Sequence, residues 1–394
     1  MSQRVDPTLA DELKEYGAVG LEMCIHCGNC TAICSLSTED ARFPRQLMRM
    51  AQLGLRDQLL GSKELWLCYN CGDCSETCPQ QAEPANLMAA ARSYAIAQYA
   101  PFKIGALFFK KTWVGSLIAA VLVLFFGVFL YGERGAMATD SLKLFGFIPY
   151  AVLHTVGLAV LLLIGVISLV TILTMMSRII HANHLSGKDV FNGSGMNGLQ
   201  ALWEAVVVQS LGQKRYRQEC TGPGNQKSWY LRIWFVHAAA MWGFLGLLLA
   251  TVMDYGLDAL GLKTTGAAVA IWYPTRLIGT LAGLLFTYGV TILLYKRWRP
   301  EEKAHRFSRP YDWLFLSLLW LSGTSGLLIE IALYLPGAPV WGYWMFISHV
   351  AVSMVLLLLM PFTKFAHAIY RIAAIYIFTL KPAPERETVP AGTE

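Results

Sequence analysis

Residues 24–34 read CIHCGNCTAIC and residues 68–79 read CYNCGDCSETCP, two runs in which cysteine recurs after spacers of two, two and three residues. Eight of the nine cysteines lie in these runs, and Cys220 stands alone far downstream. The residues ahead of them carry Arg4, Asp6, Asp11, Glu12, Lys14 and Glu15 and no apolar run, so no secretory signal peptide is expected. In a reducing compartment thiols do not persist as disulfides. Eight of them in two matched runs therefore read as metal ligands.

The spacing specifies the metal. Bringing three thiolates round one inorganic cube takes short spacers and small residues between them, here Gly28 and Gly72. Two-cluster bacterial ferredoxins share this spacing, and in them the fourth cysteine of each run reaches the other cluster. On that pattern Cys24, Cys27, Cys30 and Cys78 hold one [4Fe–4S] cluster, and Cys68, Cys71, Cys74 and Cys34 hold the second. A pair of structural zinc sites is the alternative, but zinc favours cysteine pairs separated by a longer gap. Pro79 follows the second run, whereas Ser35 follows the first. His26 lies off the ligand positions and is expected only to tune its surroundings.

Between the runs, Pro44 marks a helix start, Leu47, Met50 and Ala51 form its apolar stripe, and Gly54 ends it. Pro84 to Gln98 reads as a longer helix with Leu87, Ala91, Tyr94 and Ala95 on one side. Residues 1–100 are thus expected to form an all-helical ferredoxin domain in the cytoplasm.

The rest of the chain is of another kind. Of 394 residues 55% are hydrophobic and 15% charged, against about 25% charged in an average soluble domain. Six stretches reach the ~20 apolar residues that cross a bilayer: 112–131, 149–177, 233–253, 275–295, 313–335 and 343–370. Segments 178–232 and 296–312 hold thirteen Lys and Arg, against Arg134, Lys143 and Lys263 in 132–148, 254–274 and 336–342. That bias places the basic segments, the head and the 381–394 tail on the cytoplasmic side of the inner membrane. Residues 101–380 form the membrane domain. A net charge of +6 with basic residues spent on topology leaves no basis for nucleic-acid binding.

Four histidines then acquire depths. His349 and His367, on the last predicted span, are 18 residues apart, five helical turns and roughly 27 Å of rise. His154 opens the second span from outside and His237 opens the third from inside, so the depths pair His154 with His349 and His237 with His367. A histidine in hydrocarbon is costly unless paired or bound. Bis-histidine ligation of two b-type haems, one near each face, uses all four; hydrogen bonding of each to a neighbouring helix is the alternative. His181, His184 and His305 fall at the interface or in a loop, and no C-x-x-C-H run for covalent haem occurs. Lys364 and Arg371 flank His367 and are candidates for haem propionates or for snorkelling to the inner surface. Glu330 and Arg276, at similar outer depth on the fifth and fourth spans, are the candidate quinone site, or else an ion pair.

The head, Cys24 to Cys78, resembles the C subunit of heterodisulfide reductases. The body, with Arg232-x4-His237 opening a span and Pro361-Phe-Thr-Lys-x2-His367 closing the last, is similar to the cytochrome b subunits of heterodisulfide reductase and respiratory nitrate reductase. Their fusion in one chain resembles the C subunits of quinone-interacting membrane-bound oxidoreductase complexes. That resemblance implies electron exchange between menaquinone or ubiquinone and soluble flavin and iron–sulfur partner subunits, with adenylylsulfate reductase of dissimilatory sulfur metabolism downstream. It also implies haem ligation at His237, His349 and His367. Nitrate reductase gamma subunits carry a further histidine ten residues after the first, where this chain has Leu247, and His154 is read in its place.

The expectation is therefore an all-α protein: a two-cluster helical ferredoxin domain followed by a six-helix transmembrane di-haem cytochrome b bundle. It would act as the electron-transfer subunit of a quinone oxidoreductase. A heterodisulfide-reductase-type or sulfite-reduction-associated membrane subunit keeps the same wire with other ends. A transporter or membrane sensor whose clusters report redox state, without haem, is the reading from another class.

Overall fold

The computed structural model describes residues 4–37, 42–183, 197–214, 217, 228–263, 269–300 and 306–380. Cys220, His184, His305 and the 381–394 tail lie outside them. The described residues are helical, with no strand among them beyond an isolated bridge between Ser141 and Gly337.

The head is built from short helices, Leu9–Glu15, Asn29–Ile33, Arg45–Gln52, Arg56–Leu60, Glu64–Leu67 and Asp73–Glu76, packed on a long one, Pro84–Tyr99. Pro84 occupies the first turn of that helix, where its missing N–H removes no hydrogen bond. Leu87, Ala91, Tyr94 and Ala95 are all buried, as their spacing predicts. In Arg45–Gln52 the buried stripe is Leu47, Met48 and Ala51, with Met50 only packed at its margin.

Six helices are long and apolar enough to cross a membrane: Thr112–Gly132, Tyr150–Ala182, Ile233–Ala259, Pro274–Trp298, Pro310–Tyr334 and Val340–Leu358. Their outward faces are apolar; Leu162 and Val166 are 69% and 62% exposed, as lipid-facing side chains are. Third and fourth spans approach most closely. A Cβ added at Gly243 would lie 2.4 Å from the Phe286 backbone nitrogen, and one at Gly289 would lie 2.5 Å from that of Ala240.

Two expectations need correction. The second span is longer than 149–177: its 33 residues rise about 50 Å, and its last turns enter the head, where Met175 and Ile179 are fully buried. The sixth span, by contrast, stops short. It ends at Leu358, Met360–Phe362 and Lys364–Ala366 form separate tight turns, Thr363 between them is extended, and a new helix, His367–Leu380, begins. Pro361 cannot donate to the ladder and its ring clashes with the preceding turn, so no single helix runs through 343–370. The phase of His349 relative to His367 is therefore set by packing rather than by helical turns.

The head rests on the end of the bundle that carries the basic segments. One apolar core joins Leu13, Trp66 and Tyr94 of the head to Met175 and Ile179, to Tyr311 and to Tyr370, Ala374 and Ile377. Polar ties reinforce it: Asn183 Nδ2 donates to the Gly61 carbonyl (3.2 Å), Ser93 Oγ donates to the Tyr311 hydroxyl (3.3 Å), and Arg309 donates to the Gly17 carbonyl. A separate core at the opposite end gathers Phe147, Ile329, Ala332, Tyr343 and Phe346.

Candidate redox centres

The two cysteine runs fold into the same loop twice. In each, the residue before the second cysteine is left-handed (His26, φ 57°; Asn70, φ 59°), and so is the glycine after it (Gly28, φ 89°; Gly72, φ 91°). Only glycine takes that second conformation without penalty, and from it a short helix starts with the third cysteine buried on it. These two helices pack together, and the Asn29 side chain donates to the Thr77 carbonyl. The tail of each run is thereby carried against the other.

Cys24, Cys27, Cys30 and Cys78 line one pocket, together with His26, Arg45 and Pro79. Burial pushes the Cys30 thiol up against the Thr31 hydroxyl that would lower it, and Cys24, Cys27 and Cys78 are the thiols adding to that push. Burial likewise pushes Cys74 up, and there the contributing thiols are Cys68, Cys71, Cys30 and Cys34. Cys71 is pushed up to about 12, by burial first and then by the Asp73 carboxylate and Cys68 against an Asp73 backbone hydrogen bond. The structure thus brings Cys78 to the first run and Cys34 to the second.

A cationic cluster would displace the protons of these thiols and hold them as thiolates. Among the described residues no three His, Cys, Asp or Glu side chains close on a single ion, while Cys24, Cys27, Cys30 and Cys78 share the lining of one pocket. Backbone N–H groups of Asn70 and Ala82 point at Cys68 and Cys78 sulfur, each at 3.3 Å, the kind of donor that tunes a cluster. The residues present fit the group.

Several side chains without a motif of their own hold these loops. Gln52 Nε2 donates to the carbonyls of Leu21 (2.9 Å) and Cys24 (3.1 Å), while its Oε1 meets His26 Nε2. Arg92 donates to the Cys68 carbonyl (3.1 Å), and Arg371 reaches the carbonyls of Cys68 (3.4 Å) and Leu67 (3.5 Å) with its guanidinium 4.2 Å from the centre of the Tyr69 ring. Arg92 carried a signal, being the lone charge in the otherwise uncharged run from Leu87 to Ala97.

The imidazoles of His237 and His367 lie within electrostatic reach of each other and of Arg371. Each is held by its Nδ1, His237 by Gln213 Nε2 at 3.0 Å and His367 by the Lys364 carbonyl. His349 is held in the same way by Ser325 Oγ, 3.0 Å away, above Gly326, where an added Cβ would stand 3.2 Å from the ring. A ring that donates its Nδ1–H leaves Nε2 bare for a metal. The Lys364 carbonyl and the Ser325 hydroxyl, which itself donates to the Leu321 carbonyl, can take that proton, so His367 and His349 fit haem ligation. At His237 the Gln213 amide nitrogen donates to Nδ1, and the ring fits a metal only with that amide turned over. His154 keeps different company, between the rings of Tyr150 and Tyr255 with centroids 4.0 and 4.9 Å away.

Lys364 Nζ lies 2.5 Å from Asp312 Oδ1, and Arg297 lies 3.3 Å from Asp312 Oδ2. This buried carboxylate at the start of the fifth span has no place in the motifs above, although an acid there is costly enough to mark itself. At the end of the bundle away from the head Glu330 accepts from Thr280 Oγ1, one turn beyond Arg276. Among the described residues Arg276 makes no ion pair with Glu330.

Comparison with known proteins agrees with an iron–sulfur head. Residues 20–82 match the 4Fe-4S dicluster domain family. The head is similar to a protein of Archaeoglobus profundus that is itself like the C subunit of heterodisulfide reductase, 36% identical over 97 residues, 24% of this chain and 52% of the relative. It is also similar to the C subunit of the H(2):CoB-CoM heterodisulfide,ferredoxin reductase of Methanothermobacter thermautotrophicus, 32% identical over 62 residues, 16% of this chain and 34% of that one. The iron-sulfur C subunit of the CoB--CoM heterodisulfide reductase of Methanopyrus kandleri is 34% identical over 95 residues, 24% and 47% of the two chains. The chain thus spans about a third to a half of the length of these curated relatives. No solved structure matches.

An iron–sulfur head of the type found in the C subunits of heterodisulfide reductases, seated on six membrane-competent helices, defines an iron–sulfur electron-transfer subunit with a multi-pass membrane body. Residues 108–388, well over half of the chain, match the citrate utilization protein B family, and the chain belongs to that family.

Proposed function

We propose that this chain carries electrons between a soluble cytoplasmic oxidoreductase and the quinone pool. Cys24, Cys27, Cys30 and Cys78 would hold one [4Fe–4S] cluster and Cys68, Cys71, Cys74 and Cys34 the other. His237 with His367, and His349 with His154, would hold two b-type haems. The observation that carries the reading is the adjacency of the second cysteine loop to the His237–His367 pair, with Arg371 serving both.

Bound clusters and haems supply one-electron chemistry; the chain's residues position it and manage charge. Amides of Asn70 and Ala82 offset negative charge at sulfur. Gln213, Ser325 and the Lys364 carbonyl fix the imidazole rings. Quinone chemistry moves protons with electrons, and Glu330, steadied by Thr280 beside Arg276 at the outer face, is the group to exchange one. With the basic segments inside, the head faces the cytoplasm and Glu330 the opposite leaflet.

The family's name attaches its members to citrate utilization, which favours a soluble dehydrogenase of a citrate-like polycarboxylate as the electron donor. The alternative partner is adenylylsulfate reductase, as the resemblance of the fused chain implies.

Purified protein decides the matter by a reduced-minus-oxidised spectrum and an EPR redox titration. A b-type band, two cluster signals and haem reduction by added quinol are expected. His237→Ala should remove one haem and leave both clusters. Iron and sulfide without any b-type band would overturn the proposal in favour of a haem-free membrane sensor.

A further inference from the structure

The Cys68 carbonyl is the meeting point of two cations from different parts of the chain. Arg92 comes from the long helix of the head and donates through Nη1 at 3.1 Å and, through Nε, to the Met88 carbonyl at 3.3 Å. Arg371 comes from the His367–Leu380 helix and donates to Cys68 and Leu67. The two guanidiniums feel one another's charge. No carboxylate lies within ion-pairing distance of either among the described residues. Two half-buried like charges meeting at one carbonyl repel unless something negative accompanies them.

We propose that Arg92 and Arg371 form a clamp that raises the reduction potential of the second cluster above that of the first and so directs electrons toward the membrane. This rests on the proposed function. The thiolate set Cys68, Cys71, Cys74 and Cys34 would carry the compensating negative charge, and one further unit arrives when its cluster is reduced. In that step one electron leaves the first cluster, which is oxidised, and enters the second, which is reduced; no bond or proton moves. The first site differs in its surroundings rather than in its thiols, since Cys27 and Cys71 are both exposed: Ile25 beside Cys27 is 64% exposed, and the cation lining its pocket is Arg45. This site is the natural entry for an electron from a soluble donor. Arg371 also lies within electrostatic reach of His237 and His367 while it donates to Cys68 and Leu67, so the clamp stands on the exit side of the second cluster. Both arginines act through the cluster's surroundings and are positioning residues.

The test is an EPR-monitored redox titration of the full chain in detergent, for wild type, Arg371→Gln, Arg371→Lys and Arg92→Lys. Arg371→Gln should lower the midpoint of one cluster and leave the other in place, changing the electron's partition between them about tenfold, or ~59 mV for one electron. Arg371→Lys, which keeps the charge, should restore most of it. Equal shifts in the glutamine and lysine variants, or none in either, overturn the clamp. If Arg371→Gln loses the cluster altogether, the two lysine variants decide: a wild-type midpoint supports the charge account and a lowered one overturns it. Wild-type protein lacking two cluster signals would defeat the underlying function, a result distinct from unchanged midpoints in a two-cluster variant.

Discussion

Single side chains here are judged by what surrounds them. Asp312 is 5% exposed and sits between Arg297 and Lys364. Asp312→Asn leaves two cations facing each other at the head end of the bundle and should cost about 3–5 kcal/mol, read as a large drop in melting temperature in detergent. Gly72 adopts φ 91° and launches the helix that carries Cys74. An L side chain there costs about 1–2 kcal/mol, and Gly72→Ala should lower iron and sulfide content while haem stays. Gln213, itself left-handed and buried, bonds His237 through one end of its amide while Oε1 has no partner among the described residues. Gln213→Leu should keep b-type absorbance but shift the low-spin EPR signal of one haem; an identical spectrum would remove Gln213 from that role. Nothing in the spacing of polar residues marks Gln213, because its partner lies 24 positions away.

Elements show where periodicity is a safe guide and where it is not. The helix Pro84–Tyr99 and the starts of the six spans lie close to where the apolar runs put them, although the second span runs on into the head. The sixth failed because hydropathy is blind to hydrogen bonding: residues 343–370 are predominantly apolar, yet Pro361 interrupts the ladder. Helix–helix contact is likewise written in glycines whose meaning appears only once neighbours are placed. Gly243 and Gly165 look alike in sequence, but a Cβ on the first meets the Phe286 backbone and one on the second meets nothing within 4 Å. Gly243→Ala is expected to destabilise by about 1–3 kcal/mol, with Gly165→Ala neutral, both by thermal unfolding.

For the molecule as a unit, the decisive feature is the seat of the head. The second span overshoots the bilayer and the His367–Leu380 helix turns back into the same apolar core, so head and bundle share buried side chains such as Trp66, Tyr99 and Tyr370, whose rings lie 5.0 to 6.2 Å apart. A relay needs its centres held at fixed separation, and a shared core supplies that where a flexible linker would not. The topology carries its own prediction. A cysteine placed at Gly337 should react with a membrane-impermeant reagent only from the outer side, and one at exposed Leu199 only from the inner; the reverse pattern would invert the molecule.

From the chain of letters alone came the ligand chemistry and the architecture, because cysteine spacing, apolar run length and basic-residue bias are local properties that survive without coordinates. The proposed crossing of Cys34 and Cys78 also starts from the sequence, in two runs of the same cysteine spacing. Tertiary structure alone decided which cations serve which centre: Arg371 went to the Cys68 carbonyl and Lys364 to Asp312, and His154 found tyrosines. Most of those partners lie tens to hundreds of residues apart in sequence. Only the folding of the terminal helix onto the head, after the break at Pro361, sets the distances on which their electrostatics depend.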